Sequence, residues 1–293
     1  MRQREIVASY LFVLPDTIGL LVFVGVPMML AVAISLFDVN GFGRYKFVGL
    51  GNYQRIWLDP LFWSTLQVTV RFCVTLVPIL YVTGLGLALL VQRSSRFTTV
   101  MRAIFFMPQM VSLVVVGLVW QLMTVDKVGV LPRALASIGL SGVSLLGDPN
   151  LALLAITLTL MWFLMGFYML IFLGGLEDIP NEFYEAAAID GAGRVQSFWY
   201  ITLPSLRPTS FFVLIVSTVA AVAGAQAFDL VFVMTKGGPA NSTTLLITYI
   251  YQQAFLYSSF GYAAALATLL VVLVMIITVT FFMLTRGGRF HYD

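Results

Sequence analysis

Apolar residues in this chain come in long, nearly unbroken runs rather than at a helical or strand period. Runs over roughly 10–37, 64–92, 103–124, 150–174, 209–234 and 261–284 each supply the ~20 residues needed to cross a hydrocarbon core of ~30 Å. None alternates apolar and polar positions in ten-residue units, which argues against a membrane β-barrel. The pattern predicts an all-α membrane protein of about six transmembrane helices. Pro15, Pro27, Pro78 and Pro108 fall within these runs, and each predicts a kink or local unwinding unless it sits in a first turn. Between the runs, Asp38-Val-Asn-Gly-Phe-Gly43 reads as a turn, and Asp59-Pro60 precedes the aromatic pair Phe62-Trp63 at an interface. Gly237-Gly-Pro-Ala-Asn-Ser242 is a breaker cluster. The tyrosine-rich stretch from Leu245 to Phe260 is too short for a further span and suits an interfacial or re-entrant helix.

The Lys/Arg distribution orients these runs. With the N-terminus inside, Arg2, Arg4, Arg93, Arg96, Arg102, Arg194, Arg207, Arg286 and Arg289 are cytoplasmic, against Arg44, Lys46, Arg55, Lys127, Arg133 and Lys236 outside. Both termini are therefore expected in the cytoplasm, with loops 38–63, 125–149 and 235–260 external and 93–102 and 176–208 internal. The first run is long enough to span and is expected to stay in the mature protein.

Composition narrows the function classes. The chain of 293 residues is 60% hydrophobic and only 10% charged, whereas soluble domains carry about 25% charged residues. A net charge of +3, dispersed rather than striped, argues against nucleic-acid binding. The lone Cys73 permits no internal disulfide or thiolate cluster, and the lone His291 builds no metal site by itself. That scarcity also argues against an intramembrane enzyme. The lysines follow Tyr45, Asp126 and Thr235, so the Gly-Lys pair of a phosphate-binding P-loop is missing and any ATPase must be another polypeptide.

One polar segment interrupts the apolar pattern. Ile179-Pro180-Asn181 ends the fourth run and restarts the chain, with Pro suited to a first turn and Asn to a cap. From Glu182 to about Asp190 the residues suit a helix of about two turns, with Phe183, Ala186, Ala187 and Asp190 on one face. Gly191 and Gly193 then permit a tight reversal, and Leu203-Pro204 and Arg207-Pro208 lead into the fifth run. On this chemistry alone the segment is either an ordinary surface helix or a docking element.

The spacing of Glu185, Ala186, Ala187, Gly191, Ile201, Leu203 and Pro204, with Asp190-Gly191-Ala192 completing it, resembles the cytoplasmic signature of the integral-membrane subunits of binding-protein-dependent ABC importers. Phe47-Val-Gly-Leu-Gly-Asn-Tyr53 before Asp59-Pro60, and Phe228-Asp229 before Thr235-Lys-Gly-Gly-Pro239 and Ser242-Thr243, are similar to the carbohydrate-uptake branch. Gly51 departs from a frequent acidic residue and Lys236 from a frequent glycine. The resemblance covers essentially the whole chain. It implies that Glu185, Ala186, Ala187, Asp190, Gly191 and Ala192 form a coupling helix seated in a cleft of an ATPase, with Phe183, Ile201, Leu203 and Pro204 supporting the loop. It implies a non-catalytic permease in a prokaryotic plasma membrane, partnered by an ABC ATPase dimer, a second homologous permease subunit, an extracytoplasmic solute-binding protein and membrane lipid. ATP and magnesium would be bound by the ATPase, and no cofactor by this chain. The cargo implied is a sugar, with glycerol-3-phosphate or another polyol as the alternative. A stand-alone ion-coupled carrier is the reading from another class; it predicts more intramembrane acids and an internal repeat.

Three ionisable residues fall within the runs, where burial is costly unless they are paired or wet. Arg71 and Asp229 lie within ~10 Å of the expected outer face and either pair or line the outer end of a path; Asp16 suits helix packing or capping. Trp120, Gln121, Trp162, Tyr168, Gln226 and Phe228 are candidates for sugar contact, against the alternative that aromatics here are interfacial belt or apolar filler. Gln226 and Asp229, three residues apart on one helical face, are the leading polar pair.

Overall fold

A computed structural model describes residues 2–41, 43, 45–126, 128–139 and 142–284, with side chains described for those from 11 to 283. His291, Arg44, Lys127, Arg286 and Arg289 lie outside the described residues, as do the side chains of Arg2 and Arg4. The chain is built from α1 (Arg2–Leu20), α2 (Val26–Ser35), the strands β1 (Phe37–Val39) and β2 (Tyr45–Phe47), α3 (Gly51–Leu58) and α4 (Pro60–Val91). There follow α5 (Arg96–Phe106), α6 (Leu113–Thr124), α7 (Val130–Ser137), α8 (Pro149–Glu177), α9 (Asn181–Ile189), α10 (Arg194–Ser197) and α11 (Leu203–Ser205). The last are α12 (Arg207–Ala223), α13 (Ala225–Met234), α14 (Leu246–Tyr251) and α15 (Phe260–Leu284). Among the described residues, Leu11–Ser35, Pro60–Val91, Pro149–Glu177 and Phe260–Met283 are long and apolar enough to cross a membrane. Two bent pairs raise the number to six if each is one span.

The first bent pair breaks where a kink was expected, at Pro108; the second breaks ahead of the fifth run, where none was expected. In the third run, α5 gives way to a 3₁₀ turn over Met107–Met110 with Pro108 in its first positions, and Val111 is extended. The two halves, Arg96–Met110 and Leu113–Thr124, lie at 94°. Proline removes one backbone donor and crowds the preceding turn, so the helix restarts instead of continuing. The second bend, 64°, separates Arg194–Ser205 from Arg207–Ala223. The fifth run breaks again at Gly224, where no proline stands. Pro78, by contrast, lies inside an unbroken α4, and Pro15 inside α1. Pro27 occupies the first turn of α2, after a π-helical turn at Leu21–Gly25. Asp16 is an exposed mid-helix residue of α1 rather than a cap.

Contacts divide the chain into two units. The first comprises Met1–Trp63 and Tyr249–Leu273. Here Asp38 and Val39, expected in a turn, instead belong to β1 of an antiparallel pair that matches Phe37 with Phe47, Asp38 with Lys46 and Val39 with Tyr45. Asn52, buried, donates from Nδ2 to the carbonyls of Ser35 (2.8 Å) and Phe37 (2.9 Å), satisfying acceptors that the end of α2 leaves without helical partners. Tyr53 adds a hydroxyl contact to Ser35 Oγ at 2.8 Å. Asp59, expected to be loop punctuation, is instead a polar hub. Its Oδ2 accepts from Tyr249 OH (2.5 Å) and Tyr262 OH (2.6 Å), while Oδ1 accepts from the N–H of Leu61 (2.9 Å). The Arg55 guanidinium lies 4.3 Å from the centre of the Tyr262 ring, a favourable cation–π arrangement. The Leu245–Phe260 stretch forms α14 and a π-helical turn at Gln252–Leu256.

The second unit comprises Ser64–Thr248 and Val274–Asp293. Its centre is α8, whose most apolar stretch is 61% buried. Ile156, Leu160, Met169 and Phe172 of α8 pack with Phe72, Leu76 and Leu80 of α4, all essentially inaccessible to solvent. Leu206, Val213 and Ala221 of the α12 region and Leu230 of α13 close the same core. Arg102 of α5 donates to the carbonyls of Val91 (2.8 Å) and Gln92 (3.4 Å) at the end of α4 and lies 3.7 Å from Glu177 at the end of α8.

Burial raises the Asp59 carboxyl, but the hydroxyls of Tyr249 and Tyr262 and the N–H groups of Leu61 and Phe62 outweigh it and hold the group below its ordinary value of 3.8. Burial, then the hydrogen bond to Asp59, pushes Tyr249 up to about 12. Since the folded carboxylate is the favoured form, its stabilisation is present above the ordinary value and is lost as pH falls through the depressed one. Asp59→Ala leaves two phenol donors without their acceptor and is expected to cost about 1–3 kcal/mol of stability. Unfolding of the detergent-solubilised protein, followed by fluorescence of the neighbouring Trp57–Trp63 pair (rings 5.0 Å apart), measures it. The wild-type contribution is expected to be flat from neutral pH to about pH 5 and to disappear only below the usual carboxylate range.

Candidate functional site

The α9 segment is shaped by its two ends. Pro180, extended at φ −60° and ψ 133°, precedes the first helical residue, Asn181, which makes no side-chain cap, contrary to expectation. At the other end Gly191 takes φ +78°, a conformation that L-residues with a Cβ rarely adopt. The N–H of Ala192 then bonds back to Ala187 O (2.8 Å) and that of Gly191 to Ala188 O (3.2 Å). This paired closure satisfies carbonyls that a helix end otherwise leaves open. The Ala-Ala-Ala-Ile-Asp-Gly-Ala stretch is thus a rigid helix with its C-terminal acceptors folded in.

Most of the α9 surface is free of the rest of the chain. Glu185, Ala186 and Asp190 are exposed, Ala187 is half-buried, Phe183 is 49% exposed and Ile189 87% exposed. The opposite side, with Asn181, Tyr184 and Ala188, faces an open polar cavity of about 730 Å³. The ends of α4 (Arg93) and α8 (Glu177) and the α10 region (Arg194) complete its rim. Away from that cavity, Glu182, Phe183, Glu185, Ala186, Ile189 and Asp190 are all exposed, and Ala187 is half-buried. Behind α9, the N–H of Gly193 is taken by Gln196 Oε1 at 2.9 Å, and a π-helical turn runs over Phe198–Thr202. Ile201 and Leu203 are half-buried and pack on the core, and Pro204 falls in the first turn of α11.

The expected path residues are only partly brought together. Trp120 of α6 and Trp162 of α8 form a pair with ring centres 5.8 Å apart at 59°. Gln121 donates from Nε2 to Met234 O at 3.3 Å, fastening α6 to the end of α13. Gln226 and Asp229 share a half-buried face of α13, and Phe228 stacks on Phe232 at 5.5 Å. This short helix begins directly after Gly224, where a Cβ would stand 2.2 Å from Ala220 O; only glycine allows the chain to fold so close at the break. Arg71 is exposed on α4, and among the described residues no ion pair joins it to Asp229. Tyr168 is 1% exposed in the core and does not front an open surface. Gly224 and the Tyr184 side of α9 were not singled out by the pattern, the first because small residues surround it and the second because its partner lies in another element.

Comparison with known proteins places these features. Residues 81–285 match the family model described as binding-protein-dependent transport system inner membrane component. A trehalose/maltose transport system permease protein of Thermococcus litoralis is 35% identical, over 100% of this chain and 97% of its own. A lactose transport system permease protein of Rhizobium radiobacter is 36% identical over 97% and 95% respectively. In fold, the chain is similar to a chain of a bacterial alginate ABC transporter solved with an alginate-pentasaccharide-bound periplasmic protein, at a TM-score of 0.84 and 21% identity, covering 97% of this chain and 95% of that one. With the family model spanning most of the chain and relatives matching from end to end, the chain belongs to the inner membrane components of binding-protein-dependent transport systems.

Proposed function

We propose that this chain is the permease subunit of an ATP-driven importer of a sugar, with α9 as the helix that docks into a separate ATPase. The carrying observation is α9 itself: a short, C-terminally closed helix whose Phe183, Glu185, Ala186 and Asp190 are left exposed by its own chain, with Ala187 half-buried between them. Small alanines allow close approach, and Glu185 and Asp190 offer charge for orientation. The sugar assignment is supported by the trehalose/maltose and lactose relatives and by aromatic surface near α13. In this reading both termini and α9 lie on the cytoplasmic side of a prokaryotic plasma membrane. An ABC ATPase dimer supplies two docking clefts, so a second homologous permease subunit supplies the second helix. ATP and magnesium belong to the ATPase, and a solute-binding protein delivers cargo from outside. Trp120, Trp162, Gln226, Phe228 and Asp229 are proposed to flank the cargo path.

In the complex reconstituted with its ATPase and binding protein, Glu185→Lys and Gly191→Asp are expected to cut binding-protein-stimulated hydrolysis at least about tenfold, as for central residues of an interface. Retained hydrolysis with both variants, in normally inserted protein, would sink the docking reading. Trp162→Ala is expected to raise the KM for sugar uptake about tenfold, equivalent to about 1.4 kcal/mol, while leaving hydrolysis in the absence of the binding protein unchanged. Uptake kinetics with the cognate binding protein measure this, and an unaltered KM would remove Trp162 from the path.

A further inference from the structure

A docked helix transmits force only through what ties it to the spans. Among the described residues, one side chain of α9 makes a hydrogen bond to another element: Tyr184 OH lies 2.9 Å from Thr202 Oγ1. Thr202 is 6% exposed and Tyr184 half-buried; both line the open cavity beside α9, so the contact is partly withdrawn from water. The Tyr184 ring also packs on the core. From Thr202 the connection is continuous. Its carbonyl accepts from Leu206 N–H at 3.0 Å, Leu206 is fully buried, and the Leu206 carbonyl accepts from Ser210 N–H at 2.7 Å. Ser210 Oγ then meets Tyr81 OH of α4 at 2.8 Å, and the Tyr81 ring packs edge-on to Phe172 of α8 at 5.1 Å. One path of hydrogen bonds thus runs from α9 through the start of α12 to α4, and ring packing carries it on to α8.

We propose that the Tyr184–Thr202 hydrogen bond is the positioning contact that makes α9 move as one body with α12 when the ATPase displaces it. This rests on the docking reading above. Without it, α9 is held by its two backbone junctions and by ring packing, and it shifts while the spans lag. Tyr184 and Thr202 would act through the helices, with no contact to cargo or nucleotide.

The test uses the assembled importer, with nitroxides at the exposed positions Glu182 on α9 and Phe212 on α12 in a Cys73→Ser background. Their separation is measured by pulsed electron resonance, without nucleotide and trapped with ATP and vanadate. Wild type is expected to show one separation in both states. Tyr184→Phe and Thr202→Val, which keep ring and volume, are expected to match wild type without nucleotide. With ATP and vanadate they are expected to show a displaced population raised about fivefold, the factor given by about 1 kcal/mol for one lost hydrogen bond. A merely structural role would alter both states alike. A single unchanged separation in both variants, or a nucleotide-dependent shift already present in wild type, overturns the proposal. Gly191→Asp separates the two levels. If it hydrolyses ATP normally, the docking reading itself is wrong. If it loses hydrolysis while both hydroxyl variants keep the wild-type separation, only the tie is wrong.

Discussion

A backbone placed in hydrocarbon has no water to bond with, so every interruption of a helix must be answered by the protein itself. The architecture follows from that constraint. Helices α4, α8 and α15 run for many turns without a break, and the interruptions are local and closed. Pro108 is accommodated in a 3₁₀ turn, the π-helical turns shift the ladder without ending it, and Gly224 keeps its N–H on Ala220 O at 3.0 Å. Where α9 leaves the apolar core, the constraint lapses and a different economy applies. Its C-terminal carbonyls are closed by Gly191 and Ala192, while most of its side chains, Tyr184 and Ala187 apart, are exposed.

In the proposed reading, this division of labour reconciles rigidity with a mechanical role. The second unit is organised on α8, which packs α4 and the α12 region into one core, so a displacement entering at α9 meets a stiff body. Coupling of this kind requires a connected element with two arrangements rather than mere proximity.

Much of this was legible in the chain. The apolar runs mark the spans because length alone suffices for a membrane helix. The α9 helix was expected over Glu182–Asp190 and forms over Asn181–Ile189, because Ala-rich sequence ended by glycine carries both propensity and stop. What the pattern could not convey depends on tertiary partners. The hairpin at Phe37–Phe47 has strands of three residues, too short for a period to register. The break at Gly224 sits in a run of Ala, Val and Gly with no punctuation. Arg71 and Asp229 matched as opposite charges in sequence but are not joined in space. Tyr168 looked like a polar aromatic on a path, yet the tight packing of α4 against α8 claims it.

The Asp59 hub shows the same principle from the other side. One carboxylate oxygen serves two phenols that lie 190 and 203 residues away in the chain. Both phenols approach the same atom, Asp59 Oδ2. A shortened or neutral acceptor at this position changes both contacts together, and a phenol lost at either site leaves the other sharing nothing. Positions 59, 249 and 262 therefore form a single heritable trait: across diverging descendants of this chain they should drift as a set, with intermediate combinations scarce.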